Sequence, residues 1–286
     1  MPEPIQEIAI VGVGLIGGSF ALAIRKAGFL GKITGVSSPA ALQEALAIGA
    51  IDEGGSLEDS IPRADLVYLA QPITKILETL ERLPSLLRQD ALVTDAGSTK
   101  SMIVGKAAAT VGNRRFVGGH PMAGKERRGV GESDAELFRD RTYFLAASRT
   151  TIEEEYRVKE LVDWLERMGA LPVSITAEDH DRLVGLTSHL VQLASTGLAG
   201  TLAKVLDEPL AAMAAGPGLL DMSRLAMSSH EIWRDILASN GEAIRRALSL
   251  YIEELQQMRE AMGQGGLGAH FEIADQFAQA LRKNRN

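Results

Sequence analysis

Five histidines and no cysteine bound the chemistry open to this 286-residue chain. Thiol catalysis, disulfides and zinc–thiolate sites are excluded. His120 stands in Gly118-Gly119-His120-Pro121-Met122-Ala123-Gly124-Lys125-Glu126, where an apolar run ends in a glycine-rich loop fixed by proline. An imidazole with an unperturbed pKa of ~6.5 takes up a proton near neutral pH, so His120 at that address reads as a general base. Ser98, in Asp95-Ala96-Gly97-Ser98-Thr99-Lys100, is placed to hydrogen-bond His120 or a ligand, while Ser101 is a ready N-cap for the helix that follows. His189, in Thr187-Ser188-His189-Leu190, lies among apolar neighbours, where an imidazole needs a polar reason to be. Arg224, in Asp221-Met222-Ser223-Arg224-Leu225-Ala226, sits on an apolar segment. Burying its guanidinium calls for an anion such as a substrate carboxylate, and an internal ion pair with Asp221 or Glu126 is the competing reading. His180, in Glu178-Asp179-His180-Asp181, reads as a surface or structural residue, and Arg127-Arg128 as a solvated loop. No His/Asp/Glu cluster has metal-ligand spacing.

The elements that must position these residues start at Ile8-Ala9-Ile10-Val11, too short for a helix and apolar throughout, the pattern of a strand buried on both faces. It runs into Gly12-Val13-Gly14-Leu15-Ile16-Gly17 and then a helical stretch stopped by Gly28. In this strand–turn–helix context Gly12 allows the tight turn, Gly14 lets a pyrophosphate approach the backbone, and Gly17 brings helix and strand together. The helix N-terminus adds N–H groups and a positive dipole end, so Gly12, Gly14, Leu15, Ile16 and Gly17 are candidate cofactor contacts. Strands are predicted over 33–36, 65–70, 91–94, 115–118 and 142–146, with helices between most of them and an edge strand over 171–175. Alternation of this kind implies a doubly wound parallel sheet with right-handed crossovers, whose ligands sit beyond the carboxyl ends of the strands. The second strand ends in Ser37-Ser38, with no carboxylate to repel a 2′-phosphate, so NADP is favoured as cofactor with NAD as the alternative.

Past residue 150 the pattern turns helical: 152–168, one long helix from Ala177 to about Val205, then 222–227, 230–237, 241–262 and 270–283. The fold class expected is therefore α/β, a Rossmann-type doubly wound sheet over residues 1–150 followed by an all-helical domain over 151–286. The small residues of the long helix suit packing against other helices, either within the subunit or against the same helix of a second copy. The composition is that of a globular protein, 45% hydrophobic and 23% charged. Its net charge of −7, without a basic run, argues against nucleic acid or an anionic membrane as partner. No window reaches ~18 uncharged apolar residues and no signal peptide precedes the first strand, which together with the missing cysteines points to the cytoplasm.

Taken in order, these segments resemble the prephenate/arogenate dehydrogenase family of tyrosine biosynthesis. The resemblance runs from the glycine turn through Asp95–Lys100, the specific Gly-Gly-His-Pro-Met-Ala-Gly loop, Ser188-His189-Leu190 and Asp221–Ala226 to Ile232-Trp233-Arg234-Asp235. It implies a Rossmann domain, a helical domain forming a homodimer, and NAD(P)-dependent oxidative decarboxylation of prephenate or arogenate. His120 would then take the hydroxyl proton, with Ser98 holding His120 and substrate in register. His189 and Arg224 would hold carboxylates, and Glu126 and Trp233 would stand at the pocket rim. No metal is required. An end at Asn286 would leave no room for an appended chorismate mutase or regulatory ligand domain. Where many relatives continue Ser-His-Leu with proline, this chain has Val191-Gln192. The rival readings are a β-hydroxyacid dehydrogenase or imine reductase on the same architecture, or a nucleotide-sensing module without catalysis.

Overall fold

Ile8 to Val11 do form the central strand, and the sheet is built outward from it. The computed structural model describes residues 4–147, 156–263 and 265–283. Its elements begin with β1 (Glu7–Val11), α1 (Leu15–Lys26), β2 (Lys32–Val36), α2 (Pro39–Ala47), β3 (Glu53–Gly54), α3 (Leu57–Ser60), β4 (Leu66–Leu69) and α4 (Ile73–Arg82). They continue with β5 (Leu92–Asp95), α5 (Ser101–Thr110), β6 (Phe116–Pro121), β7 (Thr142–Ala147), α6 (Tyr156–Arg167), β8 (Leu171–Thr176) and α7 (Ala177–Val184). The strands form one sheet in the order β3-β2-β1-β4-β5-β6-β7-β8. The first six strands lie parallel in the Rossmann arrangement, with the topological switch between β1 and β4.

Two features depart from the expected sheet. β3 spans only two residues, too few to leave a periodic signal. β7 runs antiparallel to β6, with His120 opposite Phe144. The connection between them holds a short 3₁₀ turn at Val130–Glu132 and no crossover helix, so the chain can only double back. β8 then returns parallel to β7 through α6. Residues 152–155 of the expected helix lie outside the described residues.

Apolar side chains from both faces of β1 and β4 make the core. Ile8, Ile10, Phe20, Ile24, Leu66 and Tyr68 are almost wholly withdrawn from solvent. The Phe20 and Tyr68 rings stack with centroids 3.9 Å apart. Gly12 adopts φ +95°, and a Cβ there would lie 2.6 Å from the Ala70 carbonyl oxygen. A Cβ on Gly17 would lie 2.2 Å from the Gly12 carbonyl oxygen. Both positions therefore exclude any side chain, and α1 starts hard against the end of β1.

The described residues through Val184, together with Ser228–Gly241, form one compact unit, and Gly185–Met227 with the residues from Glu242 onward form another. The boundary expected at residue 150 thus falls inside the first unit, because β8 and α7 extend its sheet layer. The second unit holds α8 (Leu190–Val205), α9 (Glu208–Ala214) and α10 (Pro217–Ser223); α11 (His230–Ser239) returns to the first unit before α12 (Gly241–Ala261) and α13 (Leu267–Lys283). The single long helix expected over 177–205 is interrupted by a π turn at Gly185–His189. Such turns insert a residue into the helical ladder and redirect the side chains after it. Among the described residues no helix is long and apolar enough to cross a membrane.

Candidate active site

Two adjoining cavities open at the carboxyl ends of the strands. The first is lined by Gly12, Val13 and Gly14, by Val36, Ser37 and Ser38, and by Ala70, Gln71 and Pro72. These are the ends of β1, β2 and β4 on either side of the topological switch. A Cβ placed on Gly14 meets no atom within 4 Å, so the backbone there faces open space. Gly14 caps α1 without a side-chain hydrogen bond, leaving the first-turn amides to an outside acceptor. The residues present therefore fit a dinucleotide pyrophosphate. Ser38 serves as N-cap of α2, its hydroxyl accepting from the Ala41 amide at 3.4 Å, so only Ser37 is left without that duty.

The second cavity shares Ala70, Gln71 and Pro72 with the first, and adds Leu15, Ile16, Ala96, Gly97, Ser98, His120 and residues of α11. His120 and Ser98 thus line one space, next to the nucleotide-sized cleft. The structure adds a partner for His120 that the sequence did not show. His120 is the penultimate residue of β6, at the strand's carboxyl end as expected, and its Nδ1 is 2.8 Å from His180 Nε2. His180 is thus a hydrogen-bonded ring partner of His120. His180, read from the sequence as a surface or structural residue, is completely buried. Its Nδ1 is 2.9 Å from Asp181 Oδ1, and the Phe144 ring meets it edge-on at a centroid distance of 5.4 Å.

Asp181 also ends the uncertainty over what caps α5. Neither Ser98 nor Ser101 does so. The backbone N–H groups of Lys100 and Ser101 donate to the two Asp181 carboxylate oxygens at 2.7 and 2.8 Å. The Asp181 carbonyl accepts from Asn240 Nδ2 at 2.8 Å, which ties the end of α11 to α7. Burial pushes the Asp181 carboxyl up, but the His180 and Ser101 side chains and the two α5 amides outweigh it and hold it below the usual carboxylate range.

A second buried network holds the strand under His120. Lys100 Nζ is paired with Asp95 and donates to the Gly119 carbonyl at 2.7 Å. The Gly97 and Gly119 amides donate to the Asp95 carboxylate at 2.8 and 3.1 Å. Burial drives the Asp95 carboxyl up and the Lys100 ammonium down, and the opposite charge and the Gly97 and Gly119 amides act against those shifts. The sequence reading missed Asp95 and Lys100; the signal was a charged residue closing each end of an otherwise small, neutral loop.

The remaining candidates are less concentrated. Glu126 is exposed and Trp233 half-buried, and neither lines the second cavity; Arg128, Glu231, Ile232, Arg234, Asp235 and Ile236 do. Asp235 fixes α11 by accepting from the Thr74 hydroxyl at 2.8 Å and the Thr74 amide at 3.4 Å. His189 and Arg224 belong to the second unit. His189 is buried at the end of the π turn. Arg224 is exposed at the start of a 3₁₀ turn, so burial imposes no anion on it, contrary to expectation. The two segments are tied by Gln192 Nε2, which donates to the Leu225 carbonyl at 2.8 Å. Among the described residues no cluster suited to a metal ion occurs.

Residues 20–173 match the family model for the prephenate dehydrogenase nucleotide-binding domain, and residues 176–279 that for the prephenate dehydrogenase dimerization domain. The prephenate dehydrogenase of Bacillus subtilis is 33% identical over 284 residues, covering 96% of this chain and 76% of its own. The crystal structure of Aquifex aeolicus prephenate dehydrogenase, in complex with hydroxyphenyl propionate and NAD+, superposes with a TM-score of 0.88 at 31% identity and covers 100% of both chains. Arogenate dehydrogenase of Synechocystis superposes with a TM-score of 0.84 at 29% identity, over 97% of this chain and 99% of its own. With family models matching residues 20–173 and 176–279, the histidine-bearing strand end among them, the chain belongs to the prephenate dehydrogenase family.

Proposed function

We propose that the protein oxidatively decarboxylates prephenate or arogenate, using a nicotinamide dinucleotide, in tyrosine biosynthesis. The observation that carries this reading is His120, held by its ring nitrogen at the mouth of a cavity that adjoins the glycine-turn cleft. The substrate class is a cyclohexadienol with a ring carboxylate. A nicotinamide held beside this cavity by the glycine-turn cleft would supply the acceptor for the C4 hydride. His120 takes the proton of the C4 hydroxyl, and a positioned base of this kind is worth about 10²–10⁴-fold. The ring carboxylate departs as CO₂, and its bonding electrons complete the aromatic ring. Ser98, lining the same cavity, is assigned to the substrate hydroxyl. His189 and Arg224 are assigned to substrate carboxylates, and Glu126 and Trp233 to the rim, as the family resemblance suggests.

The finer assignments are NADP over NAD as cofactor, on the ground that β2 ends in Ser37-Ser38 rather than a carboxylate, and a homodimer formed through the helical unit. Family membership leaves the β-hydroxyacid dehydrogenase, imine reductase and nucleotide-sensor readings unfavoured. The test is nicotinamide reduction followed by absorbance, with prephenate and arogenate in parallel and each dinucleotide in turn. Turnover of either substrate is expected. A folded protein that reduces neither dinucleotide with either substrate overturns the reading, and the ratio of the two kcat/KM values assigns the substrate.

A further inference from the structure

Four heavy-atom contacts run in sequence from the amides at the start of α5 to the cavity. Lys100 N and Ser101 N donate to Asp181, Asp181 Oδ1 is 2.9 Å from His180 Nδ1, and His180 Nε2 is 2.8 Å from His120 Nδ1. We propose that Asp181 and His180 are positioning residues for the reaction, forming a buried carboxylate–imidazole–imidazole chain that fixes the tautomer of His120 and strengthens it as a base. This rests on the reading of His120 given above.

The direction of every proton in the chain follows from its fixed end. The Asp181 carboxylate is surrounded by donors, two of them backbone amides that can do nothing else. It is an acceptor, so His180 carries its proton on Nδ1. A neutral imidazole protonated on Nδ1 has its lone pair on Nε2. Among the described residues that lone pair faces His120 Nδ1, so His120 is protonated on Nδ1 and basic at Nε2, the nitrogen that must take the hydroxyl proton. The chain does more than orient the ring. When His120 becomes an imidazolium, its Nδ1–H points at a neutral acceptor whose own N–H points at a buried carboxylate, and in low-dielectric surroundings such a sequence favours the charged form.

Asp181 is the charge that His180 contacts directly, while Arg128, Glu231, Arg234 and Asp235 line the cavity that His120 also lines. From β7, the neighbour is the uncharged Phe144 ring. From β5 and α5 it is the Asp95–Lys100 pair, whose two charges offset one another. From the residue after α11 the neutral Asn240 amide donates to the Asp181 backbone carbonyl. The arrangement resembles in logic an acid that orients a catalytic histidine, with a second imidazole inserted between them.

The decisive variants separate orientation from charge. His180→Phe removes the acceptor, and should lower kcat about 10- to 100-fold, the range for loss of a charge-assisted hydrogen bond, with dinucleotide affinity unchanged. It should also move the acidic limb of the kcat/KM profile to lower pH, because the imidazolium of His120 loses its support. His180→Gln restores an acceptor oxygen without the link to Asp181. It should recover part of kcat while the acidic limb stays low. Asp181→Asn should shift the limb in the same direction. If the variants keep the wild-type limb, or if glutamine recovers nothing over phenylalanine, the two residues are structural only and the proposal falls.

A measurement on the unaltered protein stands apart from folding of the variants and from the identity of the substrate. Side-chain ¹⁵N–¹H spectra of the wild type, labelled at its five histidines, should show His120 and His180 both protonated at Nδ1 and unprotonated at Nε2 near neutral pH. His120 found protonated at Nε2 overturns the chain directly. A wild type that shows the expected tautomers but turns over neither substrate overturns the proposed function and leaves the tautomer assignment standing.

Discussion

The Lys100 ammonium is paired with the Asp95 carboxylate under the strand that carries His120, and neither side chain has any solvent exposure. Both ends of the pair also hold Gly119, one through its N–H and the other through its carbonyl. A buried ion pair of this kind is a weak source of stability while intact, but an expensive one to break, because the survivor keeps its desolvation cost. Lys100→Met should therefore destabilise the protein by about 3–5 kcal/mol, read as a fall in the urea midpoint at neutral pH. Wild-type stability in that variant would show that Asp95 is neutral or solvated in the folded protein.

His120→Ala should lower kcat by about 10²–10⁴-fold. Dinucleotide affinity, read from fluorescence or calorimetric titration, should stay near the wild type, because His120 lines the second cavity and not the cleft around Gly12–Gly14. A variant of comparable activity would remove His120 from the reaction, and with it the argument that joins the two cavities.

How much of this was legible beforehand depends on how local the cause was. Ile8–Val11 and Gly12–Gly17 carry their own instructions, a buried strand and a turn closed to side chains at Gly12 and Gly17, so the heart of the sheet followed from ten residues. The reversal at β7 depended on what the preceding connection lacked, and a missing helix leaves no pattern to read. For His180 the surface alternative fails and the structural one remains; three acidic neighbours made its segment look exposed. Helical geometry turns Asp179 to solvent and His180 and Asp181 inward, and no one-dimensional pattern distinguishes them. Asp181 caps α5 from 80 residues away, and a partner at that distance is set by tertiary packing alone. For Arg224 the apolar neighbours suggested burial, yet the 3₁₀ turn leaves it exposed.

Thr74 and Asp235 give a pH-dependent contribution whose sign can be worked out. Burial raises the Asp235 carboxyl, but the Thr74 hydroxyl and amide, aided by Arg234, bring it below its usual value. A depressed carboxylate stabilises the fold fully above its unfolded pKa of ~3.9 and loses that contribution as pH falls through the folded value. Thr74→Val should cost about 1 kcal/mol at neutral pH and shift the midpoint of acid unfolding to higher pH. An unchanged acid midpoint would mean that Asp235 keeps its charge without Thr74.

α13 buries none of its side chains within the chain, although Ile273, Phe277 and Leu281 recur every fourth residue along it and remain 69%, 66% and 53% exposed. Large apolar side chains on one helical face need a cover, and burying each is worth about 1.5–3 kcal/mol. This face is assigned to the contact of the proposed homodimer. Phe277→Glu should shift the protein from dimer to monomer in sedimentation equilibrium, in a concentration-dependent way. A Phe277→Glu protein that stays dimeric at the lowest measurable concentration would place the contact on other helices of the unit.

The cofactor's 2′ position is the most direct test of the cleft at the end of β2. Val36, Ser37 and Ser38 line it, and no carboxylate stands among its lining residues. An acidic side chain there would accept from ribose hydroxyls and repel a 2′-phosphate, and its absence removes the penalty against NADP. Ser38 is occupied in capping α2, so the position free to set the preference is Ser37. Ser37→Asp should lower kcat/KM for NADP far more than for NAD, through KM rather than kcat, because the added charge acts where the dinucleotide binds and not where the proton moves. Should the wild type already prefer NAD by about tenfold or more, a difference of ~1.4 kcal/mol, the missing carboxylate does not govern cofactor choice, and the ribose must be read by other groups of the cleft.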